Sequence, residues 1–296
     1  MNAFKWYISK FPESLYPCSH ENQEEYNAKV ILGRQKMSES TVVICGIARD
    51  ISQNIIANIA RIERLGKMFD DYRVVIYENN STDGTDELLK EWEKSNRSVT
   101  ILSEKLGSKK YESSTEADYR NNYLEEIFKQ QFHLSFRACR NVPPDYVIVA
   151  DLDLKGGWSY EGVCNSFGYD NWSVMGSNGL LYGLSPSLKN KDGSPTMTRV
   201  YYDSLAFRRI GHPEQHVSSE INAMNYNRGE KPFRVLSCFG GLALYKYSAF
   251  RQGVRYSGPD CDHVELHNKM LDVGIDDIYL NPSQIVLYSN THYTTI

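Results

Sequence analysis

A chain of 296 residues with 41% hydrophobic composition can bury one large α/β core or two small ones. Its formal net charge of -4, with no run of lysine and arginine, gives no sign of a surface built to track nucleic acid. No apolar stretch reaches the roughly 20 residues that cross a bilayer, and Lys5, Lys10 and two prolines interrupt residues 1–17, so the expectation is a soluble chain without a signal core.

Residues 1–38 are polar and irregular apart from a helix predicted over 21–35, and read as a short N-terminal extension. The run TVVICG at 41–46 is continuously apolar, as a strand buried on both faces requires. Ile51, Ile55, Ile56, Ile59, Ile62 and Leu65 then recur at helical spacing over 51–68. A second strand over 73–77 leads into ENNSTDGT at 78–85. A helix over 86–95, a third strand over 99–102, a helix over 117–139 and a fourth strand over 145–150 follow. This alternation predicts an α/β fold, a mostly parallel central sheet flanked by helices. Ligands of such sheets bind beyond the carboxyl ends of the strands, where the polar segments 46–50, 78–83 and 151–153 lie. The second half is richer in turns, at 156–157, 176–183 and 185–193. Strands are predicted there at 199–202, 235–238, 242–247 and 285–288, and a helix at 261–273. No linker-like tract divides it, so 39–296 is read as one domain.

The six cysteines show neither a CxxC pair nor metal-knuckle spacing, and Cys45 and Cys238 beside apolar strand patterns read as buried reduced thiols. Two overlapping glycosylation acceptor patterns begin at Asn79 and Asn80, on a segment assigned to the ligand-binding rim. Glycosylation there would block the rim, which favours a cytoplasmic location.

Asp151-Leu-Asp153 ends an apolar strand. Residues two apart on an extended chain point the same way, so both carboxylates reach one point. Two hard oxygen ligands suit Mg²⁺ or Mn²⁺, which also takes phosphate oxygens from a substrate. The same spacing occurs at plain solvated strand ends, and position on the rim favours the metal reading. In ENNSTDGT, residues 81–85 have the composition of a helix cap with a relaxed turn at Gly84. Glu78 and Asn79 precede that cap and are candidates to hydrogen-bond a nucleoside. Arg49 and Arg120 are candidate phosphate or base contacts.

Together these segments resemble the GT-A glycosyltransferases, whose fold is Rossmann-like. ENNSTDGT is similar to the DDGSTDGT loop of that family, with Glu78 and Asn79 in place of the acids that bind the nucleoside. YRNN at 119–122 is similar to its R-N helix, and Asp151-Leu-Asp153 to its metal-binding DxD. FGGLALY at 239–245 looks like the strand whose glycines, here Gly240 and Gly241, border the donor sugar and acceptor. The loop and the R-N helix look most like those of the fungal capsule-associated (alpha-1,3-)mannosyltransferases, and the general resemblance covers about residues 40–296.

The resemblance implies a catalytic acid or base at the start of the helix over 261–273. Counting back eleven residues from Gly274 puts His263 at the family's base position with Asp262 before it. Either side chain then handles the acceptor hydroxyl, in an inverting or a retaining reaction, or Asp262 simply caps the helix. His292, near the chain end, matches the histidine that completes the metal shell in many relatives. Asp203 and Asn178 lie where contacts to acceptor or donor sugar are expected. The expected activity is a metal-dependent transfer of a hexose, mannose favoured, from a nucleotide sugar to a glycan hydroxyl. The donor would be GDP-mannose or a UDP-sugar and the cofactor Mn²⁺ or Mg²⁺. A sugar-1-phosphate nucleotidyltransferase is the first competitor, but Gly46-Ile-Ala-Arg-Asp50 lacks its glycine-rich phosphate loop. A non-catalytic glycan-binding module of the same fold is the second, and the intact pair Asp151 and Asp153 argues against it.

Overall fold

The computed structural model of the chain describes residues 11–106, 116–133, 141–189, 193, 195–214, 220–221, 224–250 and 253–288. In chain order the elements are α1 (Gln23–Ser38), β1 (Thr41–Ala48), α2 (Ser52–Gly66), β2 (Asp71–Asn79), α3 (Thr85–Ser95), β3 (Val99–Glu104) and α4 (Glu116–Lys129). A small ribbon follows, β4 (Phe132–His133) with β5 (Asn141–Val142), and then β6 (Tyr146–Ala150), β7 (Gly157–Trp158) and α5 (Tyr160–Phe167). The chain continues through β8 (Val174–Lys189), β9 (Pro195–Tyr201), β10 (Phe233–Arg234), β11 (Leu242–Lys246), α6 (Asp262–Asp272) and β12 (Ile278–Leu287).

Val42, Val43, Ile44 and Cys45 of β1 are fully buried, as their unbroken apolar run demands of a strand covered on both faces. Their period of two divides them between two cores. Val43 and Cys45 join a cluster with Tyr123 and Ile127 of α4, whereas Val42 and Ile44 join Ile55 and Ile62 of α2 and Leu89 of α3. Strands run β10-β12-β8-β11-β6-β1-β2-β3 across the sheet, with β7 on β12 and β9 on β8. The expected parallel part is β6, β1, β2 and β3. Antiparallel β11 joins it to the parallel pair β8 and β12, so the whole is a mixed sheet flanked by helices. Among the described residues no helix is long and apolar enough to cross a membrane.

The segment read as an extension packs closely on the domain. A Cβ at Gly33 of α1 would stand 1.7 Å from the Cys164 carbonyl oxygen of α5, so only glycine permits this approach. Arg228, 3% exposed, is paired there with Glu13 and Glu161. Cys45, Cys164 and Cys238 are free and buried.

The largest departures from expectation are β8 and β12. Gly176 and Gly179, which suggested turns, lie inside β8 because Cys238 and Gly240 approach its backbone there. Pro282 and a register shift between Asn281 and Ile285 disguise β12, which begins at Ile278 rather than at 285. The helix expected to 139 ends at Lys129, where the chain turns to bury Phe132; residues 134–140 lie outside those described. The strand expected at 235–238 is reduced to one bridge, between Arg208 and Ser237.

Helix α2 interrupts its apolar face with polar residues that fix the end of β6. Asn54, Asn58 and Arg61 donate to the backbone carbonyls of Asp153, Leu152, Leu154 and Lys155 at 2.6–3.1 Å. The two aspartates of the β6 terminus are thereby held on a rigid support. Asn58→Ala removes the donor to the Leu152 carbonyl inside the core and should cost about 2 kcal/mol. A lower urea midpoint with an unchanged slope would register that loss.

Candidate active site

Pairing of Ala48 with Glu78 and of Cys45 with Val149 brings the carboxyl ends of β1, β2 and β6 side by side. A cavity of about 740 Å³ opens over them. Arg49, Asn79, Arg120, Asp151, Asp153, Asp203, Asp262 and His263 all line it, although they come from widely separated parts of the sequence.

Arg120 of α4 is the charge at its centre, with only 5% of its side chain exposed. Its Nε–H donates to Asp262 Oδ2, and its Nη2 stands 3.9 Å from Asp151 Oδ1. The rings of Phe239 and Tyr256 flank the guanidinium at 5.7 and 5.8 Å. Asp151 also accepts a hydrogen bond from the Tyr288 hydroxyl at 2.8 Å. Burial, offset in part by Arg120 and reinforced by Asp153, pushes the Asp151 carboxyl up to about 7. Burial would raise Asp262 too, but the charge and hydrogen bond of Arg120, together with the His263 backbone N–H that donates to its other oxygen, hold it at about 2. Asp203 has a left-handed backbone (φ 86°) and accepts from the Gly240 and Ala206 N–H groups at 2.7 and 3.2 Å. Burial nevertheless raises it to about 6.

His263 stacks on Phe239 with ring centroids 3.8 Å apart and meets Tyr256 edge-on. Burial holds its ring well below the ordinary histidine range, so it is neutral at physiological pH. Neither ring nitrogen has a partner among the described residues. Asn79 is 4% exposed and its Nδ2 likewise has none, although the residue borders the cavity.

The structure does not bring Glu78 to the cavity. Its carboxylate accepts from the Ser81 N–H at 2.9 Å and the Ser103 hydroxyl at 2.6 Å, and the residue is 2% exposed. Asn178 is also buried away from the cavity, donating to the Pro282 carbonyl at 3.2 Å. Gly240 and Gly241 support the wall rather than line it. Both have positive φ, and the Gly241 carbonyl accepts from the Asp151 N–H at 2.9 Å. The N-cap position of the following helix is Gly84, which has no side chain to cap with, and of residues 81–83 it is Asp83 that reaches the helix's first N–H. Asp83 accepts from the N–H groups of both Thr85 and Ser52, tying the starts of α3 and α2 together. His292 lies outside the described residues. Tyr202 and Phe239, from the segments beside Asp203 and at 239–245 expected near donor or acceptor sugar, line the cavity, as do Tyr119, Leu205 and Tyr288, which sequence reasoning did not single out as lining residues. Only the positions of Tyr288 after the last strand and of Tyr119 beside Arg120 could have signalled them.

The donor set suits a divalent cation. Asp151 and Asp153 are hard oxygen ligands, and burial, with the neighbouring Asp153 charge, raises the Asp151 carboxyl despite Arg120, so a cation beside it would favour its ionised form. No three His, Cys, Asp or Glu side chains converge as a ready-made metal cluster among the described residues. Mg²⁺ and Mn²⁺ commonly complete such a two-carboxylate set with substrate phosphate and water.

No protein-family model and no curated protein matches the sequence, but solved structures match the fold. One is the mannosyltransferase PcManGT from Pyrobaculum calidifontis in complex with GDP-Man and Mn²⁺, at 13% identity and a TM-score of 0.50. That match covers 90% of this chain and 66% of the other. GalNAc-T7 with UDP, GalNAc and Mn²⁺ aligns at 11% identity and a TM-score of 0.47, covering 95% of this chain and 54% of that one. S. aureus TarS 1-349 aligns at 11% identity and a TM-score of 0.45, with 83% and 60% covered. The chain thus spans between about half and two thirds of the length of these proteins. With its mixed sheet flanked by helices, it has the Rossmann-like GT-A fold.

Proposed function

We infer that the chain transfers a hexosyl group from a nucleoside diphosphate sugar to a hydroxyl of a glycan acceptor. The observation that carries this reading is the meeting of Asp151, Asp153 and Asp262 around buried Arg120 in one cavity at the strand ends. Bound by Asp151 and Asp153, Mn²⁺ or Mg²⁺ would neutralise charge on the departing diphosphate. Arg120 fixes Asp151 on one side and Asp262 on the other, so leaving group and attacking hydroxyl are aligned by one rigid cation. Asn79 and Arg49, on the β1–β2 side, hold the nucleoside, with the open amide donor of Asn79 as the directional contact. Asp262 is ionised throughout the neutral range and accepts the hydrogen bond of the attacking hydroxyl. His263, neutral and stacked, shapes the wall beside it. Asp203 takes a sugar hydroxyl. The likeness of the ENNSTDGT loop to the capsule-associated mannosyltransferases supports GDP-mannose as donor, as does the GDP-Man held by the Pyrobaculum protein.

Thermal unfolding in the presence of a panel of GDP- and UDP-sugars tests the reading. At least one should raise the midpoint in Mn²⁺ and lose that effect with chelator; no shift with any donor contradicts transfer. Pyrophosphate release from a sugar phosphate and a nucleoside triphosphate would favour the nucleotidyltransferase alternative instead. Protons and cation also compete for Asp151. Calorimetric Mn²⁺ affinity should therefore climb from about pH 5.5 to 7.5, by at most about tenfold per pH unit, and then level off. A flat profile would remove Asp151 from the metal site.

A further inference from the structure

The aromatic pair at 201–202 divides sharply. Tyr201, the last residue of β9, is 1% exposed and packs edge-on against Phe207. Tyr202 is 38% exposed and borders the cavity. The Tyr288 ring lies against it with centroids 3.5 Å apart, and the Tyr288 hydroxyl is fastened to Asp151. The Tyr288 ring thus backs Tyr202, which keeps 38% of its surface exposed at the cavity's edge. Leu205, 61% exposed, borders the same cavity, and Asp203 stands between the two in sequence.

We propose that Tyr202, Leu205 and Asp203 form the subsite for a pyranose ring of the acceptor, with the ring's C–H face on Tyr202 and a hydroxyl on Asp203. A pyranose presents an apolar C–H face rimmed by hydroxyls. A held aromatic ring beside a carboxylate matches both parts at little entropic cost. The side of the cavity follows from the sheet order. Arg49 follows β1, Asn79 ends β2, Asp151 follows β6, and Tyr202 follows β9, beyond β11 and β8. Phe239 and His263, 3% and 2% exposed, form the inner wall of the cavity. The exposed rim at Tyr202 and Leu205 is left for the molecule that enters from solvent. This inference rests on the transfer reading and names the residues that would hold the acceptor's sugar ring.

Saturation-transfer NMR on the protein with Mn²⁺ and GDP or UDP, titrated with methyl α- and β-pyranosides of glucose, galactose, mannose and xylose, tests the subsite. At least one pyranoside should show saturation of its ring C–H protons. Its affinity should fall at least tenfold in Tyr202→Ala and stay within twofold in Tyr202→Phe, with nucleotide binding unchanged in both. Absence of saturation for every pyranoside overturns the subsite, as does equal binding by Tyr202→Ala. Displacement of the pyranoside by nucleotide sugar but not by nucleoside diphosphate would put it in the donor-sugar pocket and also overturn the proposal. Failure of all nucleotides to bind would sink the transfer reading and with it the acceptor role of this face. Pyranoside binding indifferent to Tyr202, with nucleotide binding intact, would sink the face alone.

Discussion

Asp153→Ala is expected to lower nucleotide-sugar turnover by on the order of a thousandfold, from the several kcal/mol a cation contributes at a departing diphosphate. Asp153 is the cleaner of the two aspartates to remove. Its backbone carbonyl is held by Asn54 at 3.1 Å, while its exposed carboxylate receives no hydrogen bond from the described residues. Stability should therefore stay within about 0.5 kcal/mol of the parent, as for an ordinary surface change. Asp151→Ala would disturb Tyr288 and Arg120 together and confound the two effects. Removing Asp153 also removes a like charge beside Asp151, so the remaining carboxylate ionises at lower pH without regaining the second ligand. Steady-state rates on the best donor, with unfolding measured in parallel, distinguish a lost ligand from a damaged fold.

Asp262→Asn should lower kcat by about 10²- to 10⁴-fold while leaving donor KM nearly unchanged, because the amide cannot take up a proton from the attacking hydroxyl. The same change acts on stability with a definite sign. A carboxyl held at about 2 in the folded chain stabilises it above the ordinary aspartate range, and that contribution fades as pH falls toward 2. The parent should exceed the variant by about 2 kcal/mol at pH 7, with the gap closing below about pH 4. The substitution would also leave Arg120, almost fully buried, with Asp151 at 3.9 Å as its remaining carboxylate. An unchanged kcat would transfer the role at the acceptor hydroxyl to Asp203 or His263.

The parallel half of the fold was legible because β1, β2 and β6 are buried on both faces and write that burial as unbroken apolar runs. The rim followed from it, since Arg49, Asn79, Arg120 and Asp151 each sit just past a strand or on the covering helix. What stayed hidden depends on contacts distant in sequence. The glycines of β8 read as turns until Cys238 and Gly240 are seen against them. Glu78 reads as a ligand group until Ser103, from the neighbouring strand, is found on its carboxylate. Asp262 and His263 both line the cavity, but their environments separate them, one ionised against Arg120 and the other neutral between aromatic rings. Tyr288 and the α2 polar residues Asn58 and Arg61 carry no local spacing signal; each acts by reaching a chain segment roughly a hundred or more residues away.

The central claim is that Asp151 and Asp153 make the cavity a metal-dependent site for a nucleotide sugar. Release of free sugar from a nucleotide donor, followed over hours with the intact chain, tests it without any knowledge of the acceptor. Slow hydrolysis in Mn²⁺ that stops on chelation and is absent in Asp153→Ala is the predicted result. Hydrolysis that continues at the same rate with chelator, or in Asp153→Ala, would contradict it.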